Sequence, residues 1–247
     1  MIGIVVVSHS PALATAAVEL ALEMVAGDRP AIAIAAGGGE GVTGTDATKV
    51  AEAIDEVAGA DGVLVLMDLG SAVMSAEMAI DFRTSDVRVK LSSAPFVEGW
   101  ISAIVTAAGG ASLDEVDREA TGALIPKQGM LGDGDADGDG DAEPEAPPTA
   151  AEQAEELTIV NPDGLHARPA ATLVSALAGF DAKVTFANTR TAGKPVAGNS
   201  LIGLLSLGAK VGDVIAVAAS GTQAAAALDA VRELVTSGFG ELDDAAS

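Results

Sequence analysis

The chain is 247 residues long, enough for one or two domains of about 150 residues each. It carries 36 acidic against 13 basic side chains, a net charge of −23, and is 49% hydrophobic with only 2% aromatic residues. That composition excludes a wholly disordered chain, argues against nucleic acid as a main ligand and, with no Cys, excludes disulfide scaffolds, thiolate metal sites and thiol nucleophiles.

The first residues turn apolar at once with no basic leader, and no apolar run approaches the ~20 residues of a membrane helix. The chain therefore reads as soluble and cytoplasmic. Residues 2–7 are predicted as a strand and 11–25 as a helix. The same alternation continues with strands at 31–36, 63–67 and 87–91 and helices at 45–57, 72–81 and 97–107. Short apolar strands alternating with helices predict an α/β domain: a mostly parallel sheet with helices on both faces. In such sheets ligand chemistry gathers at the carboxyl ends of the strands.

Residues 126–156 hold 10 acids and one base, while residues 1–125 hold 18 and 6 and residues 157–247 hold 8 and 6. This middle stretch is rich in Gly and Pro and has no apolar periodicity, so residues 126–155 read as an acidic linker. Within it Asp133, Asp135, Asp137, Gly138, Asp139 and Asp141 match the start of an EF-hand calcium loop. The twelfth position is Pro144 rather than Glu, and the linker reading prevails. Beyond it the pattern predicts a strand at 157–160, a helix at 168–177, a hairpin from 183–187 and 191–196, a short helix at 200–205, a strand at 214–218 and a helix at 222–236. Strands adjacent in sequence imply an α+β domain with helices on one face of an antiparallel sheet. The expected organisation is thus 1–125, a linker at 126–155, and 156–247.

Only two His are present, and both occupy the same context. His9, in Val7-Ser8-His9-Ser10-Pro11, follows the first strand and precedes a helix, where backbone N–H groups and the helix dipole favour a phosphate. The loops after the other strands, Gly37 to Asp46, Asp68-Leu69-Gly70-Ser71 and Ser92-Ser93-Ala94-Pro95, are small, Gly-rich or hydroxyl-bearing. Asp68 is placed to accept from one ring nitrogen of His9 and leave the other as nucleophile. A loop His that merely caps the next helix is the blander reading. His166 lies in Gly164-Leu165-His166-Ala167-Arg168-Pro169, again between a strand and a helix, with Arg168 available to neutralise a phosphate.

Gly164 to Ala171, together with Asn199 to Gly208, resembles the histidine-containing phosphocarrier HPr of the phosphoenolpyruvate-dependent phosphotransferase system, over about residues 156–240. The resemblance implies that His166 accepts phosphate from enzyme I with Arg168 assisting, and places Ser200 where some bacteria have a regulatory phosphorylation site. Ser200 also reads as the N-cap of the short helix. Residues 1–125 resemble the mannose-type EIIA domain of the DhaM family, the phosphotransfer subunits of dihydroxyacetone kinase. Val7 to Ser10, Met67 to Ala72 continuing into Met74 to Glu77, and Ala94 to Gly99 carry that likeness. It implies that His9 is the second phosphorylated residue, oriented by Asp68 with Ser8, Ser10, Gly70 and Ser71 around it, and that this domain forms a homodimer.

Together the resemblances imply a relay without cofactor or metal. Phosphate passes from enzyme I to His166, then to His9, then to ADP on the partner DhaL, while the partner DhaK holds dihydroxyacetone. Free imidazole, with a pKa of ~6.5, is largely neutral and nucleophilic at pH 7. Some relatives carry an enzyme I-like segment after HPr; with the sequence ending at Ser247, a separate enzyme I is expected. Two alternatives remain open. Such a domain pair could feed a mannose-type sugar uptake system, and Gly39-Glu40-Gly41-Val42-Thr43-Gly44 satisfies the G-x-G-x-x-G pattern of nicotinamide-dependent enzymes.

Overall fold

The N-terminal half builds its sheet from the apolar runs β1 (Gly3–Ser8), β2 (Ala31–Ala36), β3 (Val63–Met67) and β4 (Val89–Leu91). They are joined by α1 (Pro11–Leu22), α2 (Ala47–Glu56) and α3 (Gly70–Phe82), and followed by α4 (Phe96–Ala108) and α5 (Leu113–Thr121). The computed structural model describes residues 1–25, 27–39, 42–59, 61–131, 153–191 and 194–242. These fall into two units, Met1–Leu124 and a second beginning at Ile125. Among the described residues no helix is long and apolar enough to cross a membrane.

The first sheet has the order β2-β1-β3-β4 and every pairing is parallel. Alternation along the strands sends Val5, Val7, Ala33, Ala35, Val63 and Val65 to one face, where they pack with buried residues of α2 and α3 such as Ile54 and Ala76. Ile4, Val6, Leu64 and Leu66 point the other way, and α1 and α4 cover that side with Val18, Trp100 and Ile104. The central strands β1 and β3 are covered on both faces and need no polar alternation, which is why they read as continuous apolar runs, while the edge strand β2 leaves Ile34 exposed. A Cβ on Gly99 would lie 2.7 Å from Ala94 Cβ, so this glycine lets α4 close onto the loop after β4.

The chain leaves β1 for β2 on one side of the sheet and returns to β3 on the other. The gap between the carboxyl ends of β1 and β3 is therefore the switch point at which such sheets form a ligand crevice. The sequence reading assigned no element to residues 113–121. α5 has a clear local cause, a capping box in which Ser112 and Glu115 satisfy each other's orphan groups, with Leu113, Val116 and Ala120 facing inward.

The second unit opens with α6 (Ile125–Leu131), followed by β5 (Gln153–Thr158), α7 (Ala167–Leu177), β6 (Lys183–Asn188), β7 (Val196–Ala197), α8 (Leu201–Ser206), β8 (Val214–Ser220) and α9 (Ala224–Thr236). The order β5-β8-β6-β7 is antiparallel throughout. Leu157, Val184, Phe186, Ile215 and Val217 are buried with Leu173 and Val174 of α7 and Leu228 and Val231 of α9, leaving the opposite face open.

Three differences from the sequence reading have local reasons. α6 and the start of β5 lie inside the span 126–155 expected as linker. Pro126 is tolerated there because it falls in the first turn of α6, and the strand expected at 157–160 instead runs from Gln153 to Thr158, its start hidden by Glu155 and Glu156. β7 is shorter than the expected second hairpin strand, since Pro195 has no N–H to give a ladder and pairing begins at Val196. The EF-hand-like run from Asp133 to Asp141 lies outside the described residues. Among those described, no cluster of three or more His, Cys, Asp or Glu is placed to hold a metal ion.

Candidate active sites

His9 stands in the two-residue connection between β1 and α1, at the switch-point crevice. Its Nδ1 is 2.8 Å from Oδ1 of Asp68, which follows β3. The same carboxylate accepts from the His9 N–H at 2.8 Å, the Ser8 hydroxyl at 2.9 Å and the Leu69 N–H at 2.7 Å. Burial alone would push this carboxyl up. The hydrogen bonds, led by that of the His9 N–H, outweigh burial and hold Asp68 below the ordinary carboxylate value. An ionised carboxylate can only accept, so Nδ1 carries the ring proton and Nε2 keeps its lone pair.

Nε2 faces the Ser71 hydroxyl, which donates to that lone pair. Ser71 belongs to the first turn of α3, which has no side-chain cap because Leu69 is the N-cap residue. That turn therefore leaves backbone N–H groups and the positive end of the helix dipole for an anion carried on Nε2. A Cβ at Gly70 would meet nothing within 4 Å, so crowding is not what calls for glycine there. Ser8 is fully buried and braces Asp68, while Ser10 caps α1 by accepting from the Leu13 N–H at 3.3 Å. These two hydroxyls shape the frame around the ring.

The Gly-rich segment after β2 closes on the same turn. The Gly37 N–H donates to Ser8 O at 3.1 Å and the Gly44 N–H to His9 O at 3.2 Å. Thr45 Oγ1 lies 2.8 Å from Ser75 Oγ, tying the segment to α3. Thr45 and Ser75 fell within the stretches Gly37 to Asp46 and Met74 to Glu77, but were given no role from sequence. The glycine fingerprint follows the edge strand β2 rather than β1 or β3, the strands that flank the switch point, and its Glu40 and Gly41 lie outside the described residues.

The second histidine is the N-cap residue of α7. Gly164, just before it, has φ +70° and would place a Cβ 2.4 Å from Ala209 O, so no side chain fits. The Leu165 N–H donates to that same carbonyl at 2.8 Å, fixing the loop on which His166 stands. His166 Nε2 is 2.9 Å from Oε1 of Glu241, and the buried Asn161 amide donates to Oε2 at 3.0 Å. Arg168 is exposed in the first turn of α7. Ser200 is the N-cap of α8, its hydroxyl accepting from the Gly203 N–H at 2.9 Å. Glu241 was missed from sequence: it lies 75 positions beyond His166, and no local spacing connects the two.

Residues 3–117 match the family described as the PTS system fructose IIA component, and residues 153–237 the PTS HPr component phosphorylation site. A Listeria innocua phosphoryl donor subunit DhaM of a PEP-dependent dihydroxyacetone kinase is 34% identical over 123 residues, covering 98% of that protein and 49% of this chain. The chain belongs to the DhaM family. DhaM subunits from Klebsiella michiganensis and Escherichia coli are each 40% identical over 252 residues, with all of this chain aligned to 52% of theirs. The chain thus spans about half the length of these two DhaM relatives. An HPr structure from Thermoanaerobacter tengcongensis is 34% identical, covering 36% of this chain and 97% of its own, at a TM-score of 0.34.

Proposed function

We propose that this DhaM-family chain is a multiphosphoryl transfer protein working in the cytoplasm. It relays phosphate from phosphoenolpyruvate-charged enzyme I to His166, then to His9, and from His9 to ADP on the DhaL subunit of a dihydroxyacetone kinase. The observation that carries the reading is His9 itself. Its ring is held by an ionised carboxylate on Nδ1, and Nε2 opens beside an uncapped helix start with a hydroxyl ready to follow a phosphate.

Each transfer is an in-line displacement at phosphorus, in which the chain contributes position and charge rather than a covalent intermediate of a new kind. As Nε2 bonds to phosphorus the ring becomes cationic, and Asp68 balances that charge through Nδ1–H. Ser71 then donates to a phosphoryl oxygen instead of to the ring. DhaK, the subunit holding dihydroxyacetone, completes the kinase, and the N-terminal unit forms a homodimer.

The test offers the phosphorylated protein to two acceptors: the DhaL subunit with bound ADP, and the IIB component of a mannose-type uptake system. Rapid transfer to ADP alone supports the kinase reading. Transfer to the IIB component alone moves the protein to sugar uptake.

A further inference from the structure

The PTS HPr match ends at residue 237, and the carboxylate that meets His166 lies beyond it. The chain makes an unusual turn to bring it there. After α9, Gly238, Phe239 and Gly240 all have positive φ, at +60°, +57° and +78°. The left-handed region costs a residue with a Cβ about 1 kcal/mol or more, so Phe239 is held there at some expense. The turn closes with the Glu241 N–H donating to Gly238 O at 2.9 Å, and a Cβ on Gly238 would lie 2.6 Å from Leu242 Cγ. What it delivers is a carboxylate whose two oxygens meet two different donors, the His166 ring through Oε1 and the buried Asn161 amide through Oε2. The amide orientation of Asn161 is fixed, because its Nδ2 also donates to Gly164 O.

We infer that Glu241 is a positioning residue for His166, holding the ring orientation and keeping the ring proton on Nε2 before and after phosphorylation. The inference rests on the phosphocarrier reading of His166. An acceptor-only carboxylate at Nε2 requires N–H there, so the lone pair is on Nδ1. When a phosphohistidine donor reacts, its P–N bond breaks and the electron pair stays on the donor imidazole. The new N–P bond forms from the Nδ1 lone pair, and the ring, still protonated on Nε2, becomes cationic. Glu241 balances that charge and keeps the proton in place, so that onward transfer releases a neutral imidazole rather than an imidazolate. The two histidines then work in mirror image: Asp68 holds the proton on Nδ1 of His9, and Glu241 holds it on Nε2 of His166.

Both carboxylate oxygens are engaged by donors, so an amide cannot replace Glu241. In E241Q, an oxygen turned to Asn161 puts an NH₂ group against Nε2, which favours the opposite tautomer. The experiment is ¹⁵N NMR of the full chain with labelled histidine, on wild type, E241A and E241Q, at a pH where His166 is neutral. Phosphorylation by enzyme I and phosphoenolpyruvate follows, with the phosphohistidine isomer read by ³¹P NMR. The wild type is expected as the Nε2–H tautomer alone and as a single phosphohistidine isomer at His166. E241Q is expected to show the Nδ1–H tautomer and E241A a mixture of the two tautomers, each with a mixture of isomers and about tenfold slower phosphorylation, the size of effect a lost ring-orienting partner brings. A His166 tautomer unchanged in both folded variants overturns the inference. Failure of enzyme I to label His166 in wild type instead overturns the phosphocarrier reading, whatever the tautomer shows.

Discussion

Asp68→Asn changes little in size and removes what His9 depends on. The carboxylate accepts four hydrogen bonds, from the His9 ring and Leu69 N–H at Oδ1 and from the Ser8 hydroxyl and His9 N–H at Oδ2. Asn has one acceptor oxygen. Placed at the Oδ1 position, it keeps the ring tautomer but sets an NH₂ against the partly buried His9 N–H. Placed at Oδ2, it sets the NH₂ against the ring, which moves the ring proton to Nε2, and leaves only the exposed Leu69 N–H for water to satisfy. The second arrangement prevails by the cost of one unpaired, partly buried donor, about 1–3 kcal/mol. Loss of the charge that balances the cationic ring adds ~1 kcal/mol. Together these amount to about 2–4 kcal/mol, or roughly 30- to 1000-fold in the rate of phosphorylation at His9. Rapid-quench measurement of phosphate arriving on His9, with ¹⁵N NMR of its ring, tests this. A variant that transfers within threefold of wild type, or keeps its proton on Nδ1, refutes the reasoning.

Ser71→Ala removes a single hydrogen bond to the ring or its phosphate, and rapid quench should show transfer through His9 slowed by about five- to tenfold. Gly164→Ala forces a Cβ into contact with Ala209 O at a φ of +70°, and should cost ~3 kcal/mol or more in urea unfolding, with His166 labelling impaired as well. Hydrogen bonding from Arg190 holds Asp213 well below the usual carboxylate range, with the Lys210 N–H adding to it, and Asp68 is likewise lowered. A depressed folded-state value means the unfolded chain binds more protons at low pH. Stability from these groups is complete above about pH 4 and is lost as pH falls below it. Urea midpoints measured from pH 6 down to pH 2 should fall, and Asp213→Asn should flatten that fall; an unchanged slope counts against this account.

The N-terminal fold was legible because its chemistry repeats locally. Strands such as 3–8 and 63–67 are buried on both faces, and their apolar runs end close to where the strands end. The His9–Asp68 pair was legible for a related reason: both residues end strands that a parallel sheet sets side by side. The first half of β5 was obscured because it carries Glu155, which accepts from Arg232 of α9, and Glu156, which is exposed, and β7 is shorter than expected because Pro195 interrupts the ladder. The contact of Ser75 with Thr45 and the approach of Glu241 to His166 were illegible for a different cause. Each residue reaches its site through tertiary folding, Ser75 from the second turn of α3 and Glu241 from a left-handed turn after the last helix. No periodicity in the sequence records either approach.

The central claim is that phosphate travels through His166 to His9. Its most direct measurement is site-resolved phosphohistidine mass spectrometry after incubation with enzyme I and phosphoenolpyruvate, on wild type, His9→Ala and His166→Ala. The relay predicts phosphate on both histidines in wild type, on His166 alone in His9→Ala, and on neither in His166→Ala. Phosphate on His9 in the His166→Ala protein, at the rate seen in wild type, contradicts it.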